Sequence, residues 1–304
     1  GQILEGNKTI TAITKANPGV ITCSSHGYLT GDEINISSIV GMTELNNKRF
    51  LVVKIDGNTF SLTNVDGVAI NTTNFTTYGS AGTMNRVFQI TTTYTTAEIF
   101  DLKFAQSADV MYITHPNHQT RKLSRTGHTT WTLAAVEFTN GPFLDTNVST
   151  TTLTPASAGV GTGVNVTASA VAGVNGGSGF LTTDVGRQIR IGDGYGIITA
   201  RTNTTVVVVT VTTAFANTNA NTDWSLGAFS TTTGFPSCVS FFEQRLVFAA
   251  SINNPQTVYF SKSGDYENMD ANIGGTVADD DAIIYTIASN QVNAIRFMSS
   301  ARTL

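Results

Sequence analysis

Short runs of β-branched and aromatic residues, each cut off by Gly, Pro, Asn or Asp, recur along the chain and constrain its fold more than any other feature. About one residue in six is Thr, with Val and Ile common, and runs of Leu, Ala, Glu and Lys long enough for an amphipathic helix are missing. Such spacing predicts strands joined by turns. Its strongest instance starts at Gly234-Phe235-Pro236 and runs through the apolar stretch Cys238 to Ala249. A polar connection at Pro255 and Gln256 then leads to Thr257-Val258-Tyr259-Phe260-Ser261, closed by residues 263–269. This reads as strand, turn, strand, half of a propeller-like blade. With 40% hydrophobic and 12% charged residues, the chain has the apolar material to fold.

At 304 residues two or three compact units are expected. Residues 1–7 read as a strand entering a platform. Residues 8–86 read as a small β barrel or sandwich: Thr9 to Ile13 and Val20 to Cys23 alternate about the turn Asn17-Pro18-Gly19, and strands follow at 32–36, 50–53 and 59–62. Residues 87–143 return to platform strands, with 108–114 and 121–125 flanking a turn at His115-Pro116-Asn117-His118. Residues 144–230 read as an inserted Thr, Val and Gly-rich β module containing the strand Thr204 to Val211, and residues 231–304 resume the platform. The fold class expected is therefore all-β, a partial β-propeller-like platform interrupted by two small modules. The chain also reads as a segment of a longer protein.

A net charge of −4 argues against a basic nucleic-acid groove, because phosphate binding needs clustered Lys and Arg. Cys23 and Cys238 lack the spacing of a disulfide framework or a zinc motif. No run approaches the roughly 20 apolar residues of a transmembrane helix, so no membrane span is expected.

Candidate chemistry is sparse. His115, His118 and His128 invite a metal reading, but Pro116-Asn117 makes a turn there and no Asp or Glu stands at ligand spacing, so a structural turn is expected. Asp279, Asp280 and Asp281 lack the alternating donors and Gly of a calcium loop and read as a solvated turn. Asp193 between Gly192 and Gly194 opens a strand, not a helix, and reads as a hairpin turn. Cys23 beside His26 has no orienting third group. Asp265 and Glu267 sit in one short segment, which does not set the separation that glycan cleavage requires. No catalytic, cofactor-binding or metal residue is therefore assigned, no cofactor is expected, and the chain is not expected to be an enzyme.

Two resemblances add to this reading. The run 234–269, the run from His115 to Phe143, and the stretches 279–288 and 292–297 resemble, in order, the tail nozzle proteins of short-tailed bacteriophages, also called tail tubular protein B. That resemblance implies a structural virion protein in the viral tail, part of the tube through which the genome leaves. It further implies self-association into a hexameric ring, a tail adaptor protein and tail fibres as neighbours, and genomic DNA passing without sequence-specific binding. Asn17-Pro18-Gly19-Val20-Ile21-Thr22, His26-Gly27, Gly31-Asp32 and Gly41-Met42-Thr43-Glu44-Leu45-Asn46 are similar to the module after the first catalytic-cysteine half of ubiquitin-activating enzymes. It implies a bolted-on β domain without chemistry. The alternative function is a virion surface adhesin or tailspike-like glycan-binding module, in which Trp131, Trp224 and Tyr266 would stack on sugars.

Overall fold

The computed structural model describes residues 3–273, 275–288, 291 and 293–300. Its elements among those residues are strands and four single 3-10 turns, so the chain is all-β as expected. Among the described residues no helix is long and apolar enough to cross a membrane. The chain divides into two compact units, residues 1–91 with 126–131 and residues 92–125 with 132–304.

The first unit is built on seven strands: β1 (Lys8–Thr9), β2 (Ala12–Ile13), β3 (Val20–Thr22), β4 (Glu33–Val40), β5 (Lys48–Lys54), β6 (Thr59–Thr63) and β7 (Ser80–Arg86). Their order in the sheet is β1-β7-β4-β5-β6-β3-β2. The two edge strands are consecutive in sequence. The run Thr9 to Ile13, expected as one strand, thus breaks at Ile10-Thr11, and residues 8–13 pair first with β7 and then with β3 and close the sheet on itself. Closure removes the free edges an open sheet would expose. Alternation points Ile34, Ile36, Phe50, Val52, Phe60, Leu62 and Met84 into one core. Gly82 is required there: its φ is +105°, and a Cβ would sit 2.7 Å from Ile39 Cγ1.

The second unit holds three sheets. A four-stranded antiparallel meander joins β8 (Lys103–Ser107), β9 (Val110–His115), β10 (His118–Gly127) and β11 (Thr130–Ala135), the tip of its last hairpin grouping with the first unit. A six-stranded sheet of order β12-β13-β16-β15-β14-β17 uses β12 (Leu153–Pro155), β13 (Gly161–Ala168), β14 (Gln188–Ile191), β15 (Gly194–Arg201), β16 (Val206–Thr213) and β17 (Trp224–Leu226). A second four-stranded meander follows, with β18 (Cys238–Phe242), β19 (Arg245–Ala249), β20 (Thr257–Phe260) and β21 (Ile283–Thr286). The apolar run 238–249, expected as a single strand, is a hairpin. Glu243 and Gln244 form its two-residue turn with φ of 44° and 62°, so neither Gly nor Asn marks it.

The two meanders share one core. Tyr112 and Val136 from the first pack with Val239, Leu246, Phe248, Tyr259 and Met269 around the second. Phe138, Phe229 and Phe248 meet edge-on or tilted, with centroids 5.2 to 6.2 Å apart. The six-stranded sheet has its own core, in which Val207, Val209 and Val211 of β16 face Val164, Val166, Ile189 and Ile198.

The chain enters and leaves that sheet side by side. Leu144 N–H donates to Leu226 O and Ala228 N–H to Pro142 O, both within 2.9 Å. A buried ion pair fastens the exit: Arg187 Nη1 lies 2.9 Å from Asp184 Oδ1, Arg187 Nε donates to Gly227 O, and Thr232 Oγ1 donates to Asp184 Oδ1. The pair compensates both buried charges, although Arg187 Nη2 is left without a hydrogen-bond partner.

Candidate metal centre

A polar cluster forms where the β9–β10 hairpin turns. His115 is the last residue of β9 and His118 the first of β10, and the two pair directly across the hairpin. Pro116-Asn117 is the two-residue turn between them, as the sequence suggests. Directly opposed residues project to the same face of a sheet, and the two imidazole centroids are 4.9 Å apart.

The third member comes from outside the hairpin. Residues 94–101 lead into β8 and contain the 3-10 turn Ile99–Asp101. Thr95 sits three residues before Glu98, the spacing of a capping box, and its N–H and hydroxyl both donate to Glu98 Oε2, at 2.9 and 2.8 Å. Held this way, the carboxylate presents Oε1 to His118 Nε2 at 2.8 Å. Those Thr95 and His118 contacts pull the Glu98 pKa down to about 2, the backbone N–H contributing most. Donor atoms of Glu98, His115 and His118 all lie within 4.8 Å of one another.

His115 is the unusual member. It is 2% exposed, its Nδ1 accepts the Asn117 N–H at 3.2 Å, and its Nε2 has no partner. Burial, reinforced by neighbouring His118, lowers its pKa, so the ring is neutral near pH 7. Tyr94 closes the cluster with its ring centroid 5.3 Å from His118 and 6.3 Å from His115, and its buried hydroxyl also lacks a partner. Desolvation raises the Tyr94 pKa.

From sequence the two histidines are expected only as a structural turn with no acid at ligand spacing, whereas the fold brings up Glu98, which lies 17 residues before His115. The Thr95-x-x-Glu98 spacing is the one local sign of it. His128, grouped with the other two by sequence, stands apart, its Nε2 3.3 Å from Leu4 O.

Other sequence candidates resolve into structural roles. His26 is buried, bonded through Nε2 to Asp56 O and through Nδ1 to Tyr28 N–H, while burial pushes the Cys23 thiol up. Asp193 lies in the β14–β15 hairpin turn. The solvated-turn reading of 279–281 needs correction at one residue. Asp281 is only 4% exposed, pairs with Lys262 Nζ at 2.7 Å, and accepts the Ala278 N–H, so its charge is compensated inside the turn. Glu267 is tied to Lys122 Nζ at 2.7 Å and accepts the Tyr112 hydroxyl at 3.1 Å. Trp224 is a core residue, 3% exposed, with its indole N–H donated to Thr151 O.

Taken together, the chain is an all-β assembly of meanders and small closed or inserted sheets. Residues 16–87 match the family model described as the ubiquitin-activating enzyme E1 FCCH domain. Over 82 residues the chain is 37% identical to ubiquitin-like modifier-activating enzyme 1 of Oryctolagus cuniculus and 35% identical to that of Homo sapiens. The matched part is 26% of this chain and 7% of either relative, so the likeness belongs to the module alone. Among solved structures, the phage phi92 endosialidase is similar over 99% of this chain and 54% of its own, at 12% identity and a TM-score of 0.20. A superposition that poor carries no argument about fold or function.

Proposed function

We propose that the chain is a structural component of a bacteriophage tail, a segment of the nozzle that walls the DNA exit channel. One observation supports this reading above others. Segments 115–143 and 234–269, which resemble the nozzle family in sequence, are separated by some ninety residues and yet pack their apolar faces into a single core. A platform interrupted by an inserted module has that organisation. Cross-strand pairing and aromatic packing make such a platform stiff, which a tube wall requires. In this reading copies associate into a ring, six by resemblance, meeting an adaptor protein and tail fibres, while the mild acidity lets DNA slide past. The E1-like module serves as an appended β domain without chemistry.

The glycan-binding alternative loses one of its three aromatics, because Trp224 cannot stack on a sugar from inside the core. Mass spectrometry of purified particles, combined with gold-labelled antibodies against residues 231–273, tests the proposal. Labelling confined to the tail beneath the capsid is expected. Absence from particles, or labelling at fibre tips, would overturn it.

A further inference from the structure

We infer that Glu98, His115 and His118 form a binding site for a divalent transition-metal ion of the zinc class, which clips the 94–101 turn onto the β9–β10 hairpin. Two imidazole nitrogens and a carboxylate oxygen form a donor set suited to zinc, cobalt or nickel, whereas magnesium and calcium prefer all-oxygen shells. The three donors already lie within 4.8 Å of one another. Tetrahedral zinc at about 2.0–2.2 Å from each ligand needs donors about 3.3 Å apart. Small rotamer adjustments of Glu98 and His118, both partly exposed, bridge that difference.

A plain Glu98–His118 ion pair leaves the cluster unexplained. It places a neutral imidazole beside the pair with Nε2 buried and unpartnered, and a buried Tyr94 hydroxyl in the same state. Buried polar atoms normally have partners, and an ion accounts for the vacant nitrogen. A carboxylate in the donor set supplies charge that compensates the cation.

Coordination has a cost at Asn117. While the Asn117 N–H donates to Nδ1, the ring proton sits on Nε2. Binding through Nε2 requires the other neutral tautomer, with that single ring proton moved to Nδ1 by exchange with solvent and no net release from the ring, so the long 3.2 Å Asn117 contact must open. Arg121, whose charge acts on Tyr94, also opposes a cation nearby. With three protein donors, one coordination position remains for water or for the Tyr94 oxygen.

The test uses the chain stripped with chelator, dialysed into chelator-free buffer near neutral pH, and titrated with zinc chloride by calorimetry and with cobalt chloride by visible absorption. One equivalent is expected, with tetrahedral cobalt bands, no thiolate charge-transfer band, and no displacement by excess magnesium. Glu98→Gln and His118→Gln, at partly exposed positions that leave the core intact, each weaken binding by about tenfold or more, while His128→Gln stays within about twofold. His115→Ala abolishes binding; should it fail to fold, the other two variants decide. No saturable binding, or one-equivalent binding that Glu98→Gln and His118→Gln leave unchanged in folded protein, overturns the site.

Discussion

Phe248→Ala is the perturbation that best examines whether the two meanders behave as one body. Phe248 is fully buried in β19 and meets Phe138, just after β11, at 5.2 Å and Phe229 at 6.2 Å between centroids. Truncating a buried Phe removes its transfer free energy and leaves a cavity, about 3–5 kcal/mol in total. Each lost aromatic pair contributes about 0.5–1.5 kcal/mol to that sum, so about 4 kcal/mol is a central value. In a chain with several cores global unfolding need not be two-state, and hydrogen exchange resolved by segment is the suitable assay. A loss of about 4 kcal/mol speeds exchange about a thousandfold in amides that open with this core. Acceleration is expected in both 110–136 and 238–260, with the inserted sheet at 188–213 much less affected. The control Phe100→Ala, at a position 88% exposed, changes stability by no more than about 0.5 kcal/mol. Acceleration confined to 238–260 would refute the shared core.

Other outcomes follow from individual contacts. Replacing Glu243-Gln244 by Asn-Gly suits the positive φ of both residues and raises stability by about 1 kcal/mol, measured as a higher urea midpoint at unchanged slope; a lower midpoint would contradict the turn geometry. Arg187→Met leaves the Asp184 charge buried without its partner and costs about 3–5 kcal/mol, whereas the double variant with Asp184→Leu recovers much of that loss in the same assay. Glu98 titrates near 4.5 when unfolded and near 2 when folded, so its contribution is complete above pH 4.5 and disappears as pH falls toward 2. Thermal melts of metal-free Glu98→Gln therefore show a shallower acid dependence across that window than the parent. The two buried thiols, both with raised pKa, react with a thiol reagent only after unfolding; rapid native labelling of either would contradict their burial.

Strands whose apolar residues alternate were legible in the sequence: β4, β5, β6, β9, β16 and β20 all lie where β-branched and aromatic spacing predicts them. The misses have physical reasons. Strand β7, Ser-Ala-Gly-Thr-Met-Asn-Arg, carries few β formers, and its pairing with β4 fixes its conformation. Strand β8 has no buried residue and forms by pairing with β9. The 243–244 turn lacks Gly and Asn, so the apolar residues on either side read as one run. Closure of the first sheet by residues 8–13 is likewise a tertiary outcome, since the run's alternation alone gives no cue to change partners at Ile10.

The Glu98, His115 and His118 cluster was only partly visible in the sequence, where it read as a turn. Pairing across a two-residue hairpin turn is local, so His115 and His118 could be placed together from sequence. Glu98 joins through packing of the segment before β8, which no spacing rule anticipates. Asp281 shows the converse: three successive acids look solvated, yet Lys262 and the Ala278 N–H hold one of them inside.

A cryo-EM reconstruction of the intact particle at side-chain resolution tests the proposal that this chain is a wall element of a tail nozzle. The expected result is the paired meanders as a repeated density encircling the axial channel, six copies by resemblance, with the inserted sheet attached at residues 143 and 227. Density for the chain found only on peripheral fibres, or in a single copy away from the axis, would contradict it.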